Sequence, residues 1–473
     1  MTGDSRMLTT RRLTELVTSL AGPDESAARN GVSELMGAIP MIGLPERWID
    51  NSRYQPPAHS AVPDWLISAG SGWDSSNECL NLCADLAETL EGEQLDLFFT
   101  RMAALLGAGR MFTVVLRERG REQLATRFTL RLMHTRMRQF PLQVCFSPTL
   151  RCQLSCDYCI SAGTAQAATP EPDQARVDEL LNWLDRQGIK RLGLSGGEPT
   201  LSPLFPYIAE ETGKRGLSLY MASNAMFSEK ICALITVRKV SSITLHLTVE
   251  TIESPEKRKV FIRNARALVK AGINVALRCN LTRLDSDPAV YADHAHETGI
   301  REVRVAVPTP NAQHGNEYIE PEALRDFGDQ LARLHARCDS YSIPLQLAKP
   351  FPLCLLPEDT ARSFLRNGSA AINCPMHQND YSNNIVIHPD FSFIPCLGLS
   401  LKQHQPITEH GNLRQAARTF TDMIVPLLKK PLFKHCTECP LWTGSRCIGA
   451  CLSYRLPSPA RSAARKQDSM VRR

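Results

Sequence analysis

Short apolar runs alternate with amphipathic stretches along the middle of the 473-residue chain. The apolar runs lie at Leu142–Ser147, Ile189–Leu194, Leu217–Met221, Ile243–Leu247, Val275–Cys279 and Val303–Val307. Between them, apolar residues recur every three to four positions, as in Pro170–Gln187, and this period predicts helices. Strands that alternate with helices pair in parallel through right-handed crossovers. The pattern therefore predicts an α/β fold, an open and partial (β/α) barrel of six strands.

Three cysteines follow the first predicted strand. Cys152, Cys156 and Cys159 have the spacing C-x3-C-x2-C, and Tyr158 precedes the third. Three thiolates on one loop can hold three corners of an iron–sulfur cluster and leave the fourth iron open. A structural zinc ion would need a fourth ligand nearby, and the loop offers none.

A glycine-rich turn, Gly196–Pro199, follows the second predicted strand with the sequence Gly-Gly-Glu-Pro. A C-x3-C-x2-C loop with an aromatic residue, followed one β–α–β unit later by this turn, resembles the radical S-adenosylmethionine (radical SAM) enzymes. The resemblance implies that the three cysteines hold a [4Fe–4S] cluster whose open iron binds SAM. It also implies reductive cleavage of SAM to a 5′-deoxyadenosyl radical, which abstracts hydrogen from a substrate. An electron donor such as a flavodoxin or ferredoxin is implied as a partner.

The resemblance assigns SAM contacts to the turn itself. Gly196 and Gly197 would let the backbone approach the methionyl group, because glycine has no Cβ. Glu198 is expected to accept a hydrogen bond from the SAM ammonium, and Pro199 to direct the chain out of the turn.

Further SAM contacts are expected where the strands end. They are Tyr158 near the adenine, Ser223 and Asn224 after the third strand, His246 after the fourth, and Arg278 or Asn280 after the fifth. The fourth strand departs from the family pattern, because His246 and Thr248 stand where Ser-x-Asp is more usual. His246 could therefore face the substrate or be a structural histidine. No catalytic acid or base is assigned.

A second group of cysteines lies among prolines and turn residues near the C-terminal end. The candidate metal ligands are Cys354, Cys374, Cys396, Cys436, Cys439, Cys447 and Cys451. The last four have the spacing C-x2-C-x7-C-x3-C, which a four-cysteine zinc site would also show. After a radical SAM core, this group resembles a SPASM/twitch extension, which carries auxiliary [4Fe–4S] clusters.

Two departures limit that resemblance. Phe391 stands where the family has a glycine before its second cysteine, and no cysteine follows Cys451. We therefore expect at least one auxiliary cluster, on Cys374, Cys396, Cys451 and Cys354. A second cluster would need a non-cysteine ligand or an open iron.

Length and patterning predict the organisation of the chain into domains. We expect a mostly helical N-terminal domain at 1–140, the radical SAM core at 141–345, a cysteine-rich auxiliary domain at 346–452 and a basic, disordered tail at 453–473. In the first of these, Leu8–Leu20, Ser26–Met36, Cys79–Leu90 and Glu93–Leu106 have helical periodicity, while Met111–Gln139 fits a strand or a helix. The role of this domain does not follow from its residues.

Composition excludes several classes of protein. No run of about eighteen apolar residues occurs, so a membrane span is not expected. The N-terminus lacks the layout of a signal peptide, which predicts a cytoplasmic protein. A net charge of +5 over this length does not indicate a nucleic-acid partner. Sixteen cysteines in such a protein indicate metal or cluster ligation.

Three functions remain open. The leading hypothesis is a radical SAM enzyme that modifies a peptide or protein side chain by oxidation, cross-linking or epimerisation, since maturases dominate the SPASM group. The alternative is a radical SAM dehydrogenase, dehydratase or epimerase acting on a sugar, an aminocyclitol or another small metabolite. A third hypothesis, a zinc-stabilised scaffold without catalysis, predicts zinc in place of iron and no cleavage of SAM.

Overall fold

The computed structural model describes residues 10–24, 26–27, 74–104, 112, 115–128, 143–161, 170–311, 315–366, 374, 385–399, 401–439, 442 and 447–456. The chain divides into two compact units. The first consists of Met1–Pro141, Ala361–Ser369 and Lys434–Cys447. The second consists of Leu142–Thr360, Ala370–Phe433 and Ile448–Arg473. No helix in these described stretches is long and apolar enough to cross a membrane.

The described N-terminal part of the first unit consists of helices and short turns. Its helices are α1 (Thr10–Ala21), α2 (Asp74–Thr89) and α3 (Gly92–Ala104), followed by helical segments at 115–118 and 122–128. The ambiguous stretch after 111 is thus helical in its described part, whereas most of the predicted helix from Ser26 to Met36 lies outside the described residues.

An aromatic core holds these helices together. Phe98, Phe99, Phe112 and Phe128 are fully buried, and the rings of Phe112 and Phe128 meet edge to face with their centroids 4.9 Å apart. Edge-to-face pairs add roughly 0.5–1.5 kcal/mol to the free energy gained by burying the rings. Packing of amphipathic helix faces therefore stabilises this unit.

A buried arginine completes the end of the first helix. The Arg101 guanidinium donates to the carbonyl oxygens of Leu20 at 3.0 Å and Gly22 at 2.6 Å. The last carbonyls of a helix have no partner within it, so these two bonds satisfy groups that would otherwise be unpaired.

The second unit is built on a nine-stranded sheet. Its strands are β1 (Gln143–Phe146), β2 (Arg191–Leu194), β3 (Ser218–Ser223), β4 (Ser242–His246), β5 (Asn274–Asn280), β6 (Val303–Ala306), β7 (Leu345–Leu347), β8 (Val386–Ile387) and β9 (Phe393–Ile394). The order across the sheet is β7-β6-β5-β4-β3-β2-β1-β8-β9, and every pair is parallel except β8 with β9. The α/β fold with an open, mostly parallel sheet is confirmed. All six predicted strands are present, and the three additional strands have only two or three residues, too few to show a period.

Helices connect and cover the strands. They are α4 (Gln174–Arg186), α5 (Phe205–Lys214), α6 (Glu229–Leu234), α7 (Val249–Glu253), α8 (Pro255–Lys270), α9 (Ala289–Thr298), α10 (Leu324–Ser340), α11 (Glu358–Arg366), α12 (Leu413–Arg418) and α13 (Thr421–Leu428). Several begin at the side-chain caps that helix formation favours, such as Asp173 before α4, whose carboxylate accepts from the Arg176 amide.

Strand register separates an apolar face from a polar one. Leu245 and Leu277 are paired in register and fully buried on the face that α8 covers. One position further along, His246, Arg278 and Arg304 form a row across β4, β5 and β6, and each is half-buried. Because successive strand residues point to opposite faces, this polar row lies on the face away from the helices, which lines the interior of a partial barrel.

The C-terminal end of the described chain is ordered beyond the predicted domain boundary. Residues Leu452–Arg455 form a 3₁₀-helix, and Ser453 and Arg455, which fall within the predicted tail, are buried. The Arg455 guanidinium donates to the carbonyl oxygens of Ile448 and Ala450. The remainder of that tail, 457–473, lies outside the described residues.

Candidate functional site

The three-cysteine loop begins immediately after β1. Cys152 is exposed, whereas Cys156 and Cys159 are half-buried, and all three are free thiols. The Cys159 amide donates to the Cys156 carbonyl at 3.0 Å and closes a turn. The Cys152 Sγ accepts from the Leu154 amide at 3.5 Å and from Asn224 Nδ2 at 3.6 Å. Backbone and side-chain donors therefore already point at one of the thiols.

The turn after β2 packs directly against this loop. The Gly197 amide donates to the Thr149 carbonyl at 3.1 Å, and the Glu198 amide donates to the Arg151 carbonyl at 2.8 Å. A Cβ on Gly197 would lie only 2.0 Å from the Arg151 oxygen. Gly196 has a φ of +107°, which side chains rarely permit. Both glycines are thus required by the approach of the turn to the cysteine loop, apart from any contact with SAM.

Glu198 connects the ends of β2 and β3. Its carboxylate is 1% exposed and accepts from Thr200 Oγ1 at 2.6 Å, Ser223 Oγ at 2.9 Å and the Asn224 amide at 2.9 Å. Burial raises the pKa of Glu198, while these donors oppose the shift. Since protein donors occupy the carboxylate, its main structural effect is to place Asn224 beside Cys152. Its predicted bond to the SAM ammonium stays a prediction.

Pro199 ends the glycine turn, and Tyr158 lies within the cysteine loop. Pro199 is buried and begins a 3₁₀-helix, Pro199–Leu201, which leads the chain away from the turn. Tyr158 is half-buried, its hydroxyl interacts with the Cys156 thiol, and its carbonyl accepts from Asn316 Nδ2 at 3.2 Å. The aromatic ring is thereby held next to the cysteines.

A carboxylate that the motifs did not single out lies in the same region. Glu250 belongs to α7, which follows β4, and its Oε2 is buried without a hydrogen-bond partner. Its charge interacts with Cys156 and Tyr158 and raises the pKa of both groups, second to burial for Cys156. The only signal in the sequence was its position four residues after His246, at the carboxyl end of a strand.

His246 and Arg278 are neighbours across β4 and β5. Burial, together with the cations Arg278 and Lys349, lowers the pKa of His246 to about 3, so the ring is neutral near pH 7. The Arg278 Nε is buried and has no hydrogen-bond partner. Arg304, by contrast, is paired with Glu302 at 2.6 Å. Because buried charges are normally compensated, Arg278 suits an anionic group of a ligand, such as a carboxylate.

Of the seven candidate ligands near the C-terminal end, Cys396 and Cys451 both have a sulfur close to Gly398. Both Sγ atoms lie 3.7 Å from the position of a Cβ on Gly398. The Gly398 amide donates to the Cys396 Sγ at 3.3 Å, and the Ser453 hydroxyl donates to the Cys451 Sγ at 3.3 Å. Burial raises the pKa of the Cys396 thiol, and the Gly398 donor opposes this shift.

The five other candidate ligands are divided between the two units. Cys354 and Cys374 are half-buried in the second unit. Cys436 and Cys439 are buried and Cys447 is half-buried in the first unit, where the Cys439 amide donates to the Cys436 carbonyl at 3.1 Å. Among the residues that the structure describes, no group of three or more His, Cys, Asp and Glu side chains could hold a metal ion.

The structure explains why a phenylalanine can occupy the family's glycine position before Cys396. Phe391 has a φ of +65°, in the left-handed region that favours glycine. This conformation costs a residue with a Cβ roughly 1–2 kcal/mol. The ring is fully buried, meets Phe146 edge to face with centroids 6.1 Å apart, and lies 4.1 Å below the Arg176 guanidinium carbon. Packing of the ring offsets the backbone strain.

A parallel sheet with a three-thiol loop after its first strand and a glycine turn after its second defines a class of enzyme. Residues 146–283 match the model of the radical SAM superfamily. The matched range contains the three-cysteine loop, the glycine turn and the strand ends from β1 to β5. The chain therefore contains a radical SAM domain and is an enzyme of the radical SAM type.

Solved structures resemble the chain over a longer range than this domain. SuiB of Streptococcus suis, bound to the precursor peptide SuiA, has a TM-score of 0.51 and 16% sequence identity, with 79% of this chain and 93% of that chain covered. Native anSMEcpe with bound AdoMet has a TM-score of 0.51 and 15% identity, with 68% of this chain and 92% of that chain covered. At these identities the similarity concerns the fold. No curated protein matches the sequence.

The residues of this site have the chemistry that the groups implied by a radical SAM domain require, a [4Fe–4S] cluster and SAM, but the described positions of the thiols do not form a metal-binding group. Cys152, Cys156 and Cys159 supply three thiols, the number that leaves one iron open. Gly197 brings the turn so close to the loop that a Cβ would not fit. Arg278 contributes a cation whose Nε is buried without a hydrogen-bond partner.

Proposed function

We propose that this radical SAM enzyme modifies a side chain of a ribosomally made peptide or of a protein, by oxidation, cross-linking or epimerisation. One observation carries the substrate class: the similarity to SuiB bound to its precursor peptide covers 79% of this chain, well beyond residues 146–283. Because function depends on sites rather than on the fold, the proposed substrate class is an analogy from this shared fold.

The proposed chemistry uses the cysteine loop to hold the cluster and the strand ends to hold SAM. A bound cluster would supply the electron that cleaves SAM. The main chain at Gly196 and Gly197 would lie against the methionyl group, and Arg278 would face an anionic group of SAM or of the substrate. Tyr158 would lie beside the adenine. His246, neutral near pH 7, could both donate and accept hydrogen bonds toward a ligand.

A rigid support for the loop is part of this proposal. Glu171 accepts from Thr149 Oγ1 at 2.5 Å and from Arg151 Nε at 2.7 Å. Arg151 also donates to the Leu201 carbonyl at 3.0 Å, beyond the glycine turn. Catalytic groups react efficiently only when they are held close to the productive geometry. These bonds would hold Cys152 in place before and after SAM binds.

We further propose at least one auxiliary [4Fe–4S] cluster in the second unit. The sulfurs of Cys396 and Cys451, both close to Gly398, support it, and Cys374 and Cys354 would complete the ligand set. For Cys436, Cys439 and Cys447 we retain the expectation of metal ligation without assigning them to that cluster. A flavodoxin or ferredoxin would be the electron donor to the cluster in the core.

The test is anaerobic reconstitution, followed by iron and sulfide counting and by measurement of 5′-deoxyadenosine formation from SAM with a strong chemical reductant. Replacing Cys152, Cys156 and Cys159 together with alanine should abolish formation of 5′-deoxyadenosine. A Cys232→Ala variant is the matched control, because this half-buried thiol in α6 is remote in sequence from all proposed ligands. Cleavage of SAM by the triple variant would show that the core cluster is assigned to the wrong residues.

Metal content and substrate turnover separate the remaining hypotheses. Iron that persists in the triple variant supports the auxiliary cluster, whereas zinc in place of iron supports a scaffold. For the substrate, a short peptide encoded beside the gene should change in mass when incubated with enzyme, SAM and reductant. Turnover of a sugar or aminocyclitol, with no change in such a peptide, would contradict the proposed substrate class.

A further inference from the structure

Three backbone carbonyls in the second half of the cysteine loop accept hydrogen bonds from the segment that follows β6. They are the carbonyls of Asp157, Tyr158 and Ile160, and the donors are the Glu317 amide at 2.9 Å, Asn316 Nδ2 at 3.2 Å and Asn311 Nδ2 at 2.6 Å, respectively. The three acceptors lie within four positions of one another and on both sides of Cys159. The segment after β6 therefore fixes the course of the loop around this thiol.

Asn316 is the most heavily used of these donors. It is 5% exposed, and both ends of its side-chain amide have partners. Its Oδ1 accepts from the Asn311 amide at 2.7 Å, and its Nδ2 also lies within hydrogen-bonding distance of the carbonyls of Thr309 at 3.1 Å and Glu317 at 2.9 Å. The reverse orientation would place Nδ2 against an N–H donor, so these bonds fix the amide. The position thus requires a group that donates and accepts at once.

The segment that carries Asn316 is itself anchored. The Ile319 amide donates to the Pro308 carbonyl at 3.2 Å and closes the segment. Tyr454, in the C-terminal 3₁₀-helix, donates through its hydroxyl to the Ile319 carbonyl at 2.8 Å, across 135 positions of the chain. A residue can position a functional group only when its own surroundings hold it. Asn316 meets this condition.

We propose that Asn316 is a positioning residue for the SAM reaction, which fixes Cys159 and the Tyr158 ring through the backbone of the cysteine loop. The inference rests on the proposed function, because that function assigns the loop to cluster binding and Tyr158 to the adenine. Glu171 supports the first half of the loop, and Asn316 supports the second half. Displacement by about 1 Å is enough to slow positioned chemistry severely.

The partners of Asn316 distinguish this role from general stabilisation. An asparagine that only stabilised its own turn would bond within the segment after β6, as its bonds to Thr309 and Glu317 do. The bond to the Tyr158 carbonyl spans 158 positions and reaches the residue before Cys159. Loss of this donor would leave a carbonyl of the cysteine loop unpaired. We therefore expect the loop to open locally while the sheet stays closed.

The experiment compares Asn316→Asp with the wild type and with Gln330→Glu in the full chain. Asn316→Asp keeps the shape and the acceptor of the side chain but removes the donor. Gln330→Glu makes the same change in α10, where the buried amide donates to the carbonyls of Arg283 at 2.8 Å and Leu284 at 2.7 Å. Hydrogen exchange of the metal-free chain is measured by mass spectrometry for 156–161, β2 and β5. Formation of 5′-deoxyadenosine per bound iron is measured after reconstitution.

We expect Asn316→Asp to accelerate exchange in 156–161 about tenfold, the effect of losing one or two buried hydrogen bonds, and to leave β2 and β5 unchanged. Formation of 5′-deoxyadenosine per bound iron should fall at least about fivefold. Gln330→Glu should retain both the exchange of 156–161 and the activity. If Asn316→Asp does not fold, Asn316→Ala, which removes the donor without adding a charge, replaces it.

Unchanged exchange in 156–161 in a folded Asn316 variant would overturn the inference. Equal acceleration throughout the second unit would also overturn it, because the residue would then only stabilise the fold. Faster exchange confined to 156–161, together with a wild type that forms no 5′-deoxyadenosine, would support the positioning of the loop and contradict the proposed function.

Discussion

Replacing Gly197 with alanine tests whether the close contact between the glycine turn and the cysteine loop positions the thiols. The added Cβ would lie 2.0 Å from the Arg151 carbonyl oxygen, 1.0 Å inside the 3.0 Å below which such contacts essentially do not occur. The obstructing atom is backbone and directly precedes Cys152. The loop must therefore move by about 1 Å or the turn must open.

The expected cost follows from the contacts that hold the turn. Overpacking of this kind costs about 1–3 kcal/mol. Weakening the two backbone hydrogen bonds, from Gly197 to Thr149 and from Glu198 to Arg151, adds about 0.5–1.5 kcal/mol each. We expect Gly197→Ala to lower the free energy of unfolding by about 2–6 kcal/mol. We also expect a loss of at least 10-fold in 5′-deoxyadenosine formation, since about 1 Å of misplacement impairs positioned chemistry severely.

Two glycine variants separate displacement of the site from loss of stability. Gly328→Ala, in α10, creates a similar clash, 2.1 Å from the Leu355 carbonyl oxygen, but away from the cysteine loop. It should lower stability and leave SAM cleavage by the folded protein intact. Gly213→Ala is exposed in α5 and has no contact below 3.5 Å, so it should be neutral or slightly stabilising. Full iron content and normal SAM cleavage in Gly197→Ala would refute the reasoning.

Three further predictions concern the second unit. The pKa of His246 is about 3 in the folded chain against an ordinary 6.5, so the unfolded state takes up the proton first as the pH falls. The free energy of unfolding should therefore decrease between pH 6.5 and pH 3, by at most about 4 kcal/mol after allowance for partial exposure, and His246→Gln should flatten this dependence in denaturation curves. Asn264 is buried and donates to the carbonyls of Ala225 and Phe227, both at 2.8 Å. Asn264→Ala should cost about 2–4 kcal/mol in urea unfolding, because two buried carbonyls lose their donor. Phe391→Gly relieves backbone strain but removes a buried ring, so thermal and urea unfolding should show a net loss of about 2 kcal/mol, and a gain in stability would contradict the role of the ring.

Local patterns predicted the strands that are long enough to show a period. The strands from Leu142 to Val307 each have at least four ordered residues and lie between amphipathic helices. The strand at Leu345–Leu347 and the pair at Val386–Ile387 and Phe393–Ile394 have two or three residues. Their strand conformation depends on a sheet edge that is already present. Such segments cannot be recognised from their own residues.

Parts of the site could also be predicted from residues that are close together in the sequence. Cys152, Cys156 and Cys159 lie within eight positions of one another, so their spacing alone indicates a shared ligand. The buried carboxylate of Glu250 has no comparable signal, because its environment comes from β4 and from the cysteine loop together.

By itself, the sequence determined the alternation of strands and helices, the three-thiol loop and the glycine turn, because each depends on residues that are near one another along the chain. The tertiary structure decided which distant residues meet. It placed the sulfurs of Cys396 and Cys451, which are fifty-five positions apart, both close to Gly398. It also showed that Gly197 is required by the Arg151 carbonyl. Distances and charges of this kind arise only when the strands are assembled in register, since no local period encodes them.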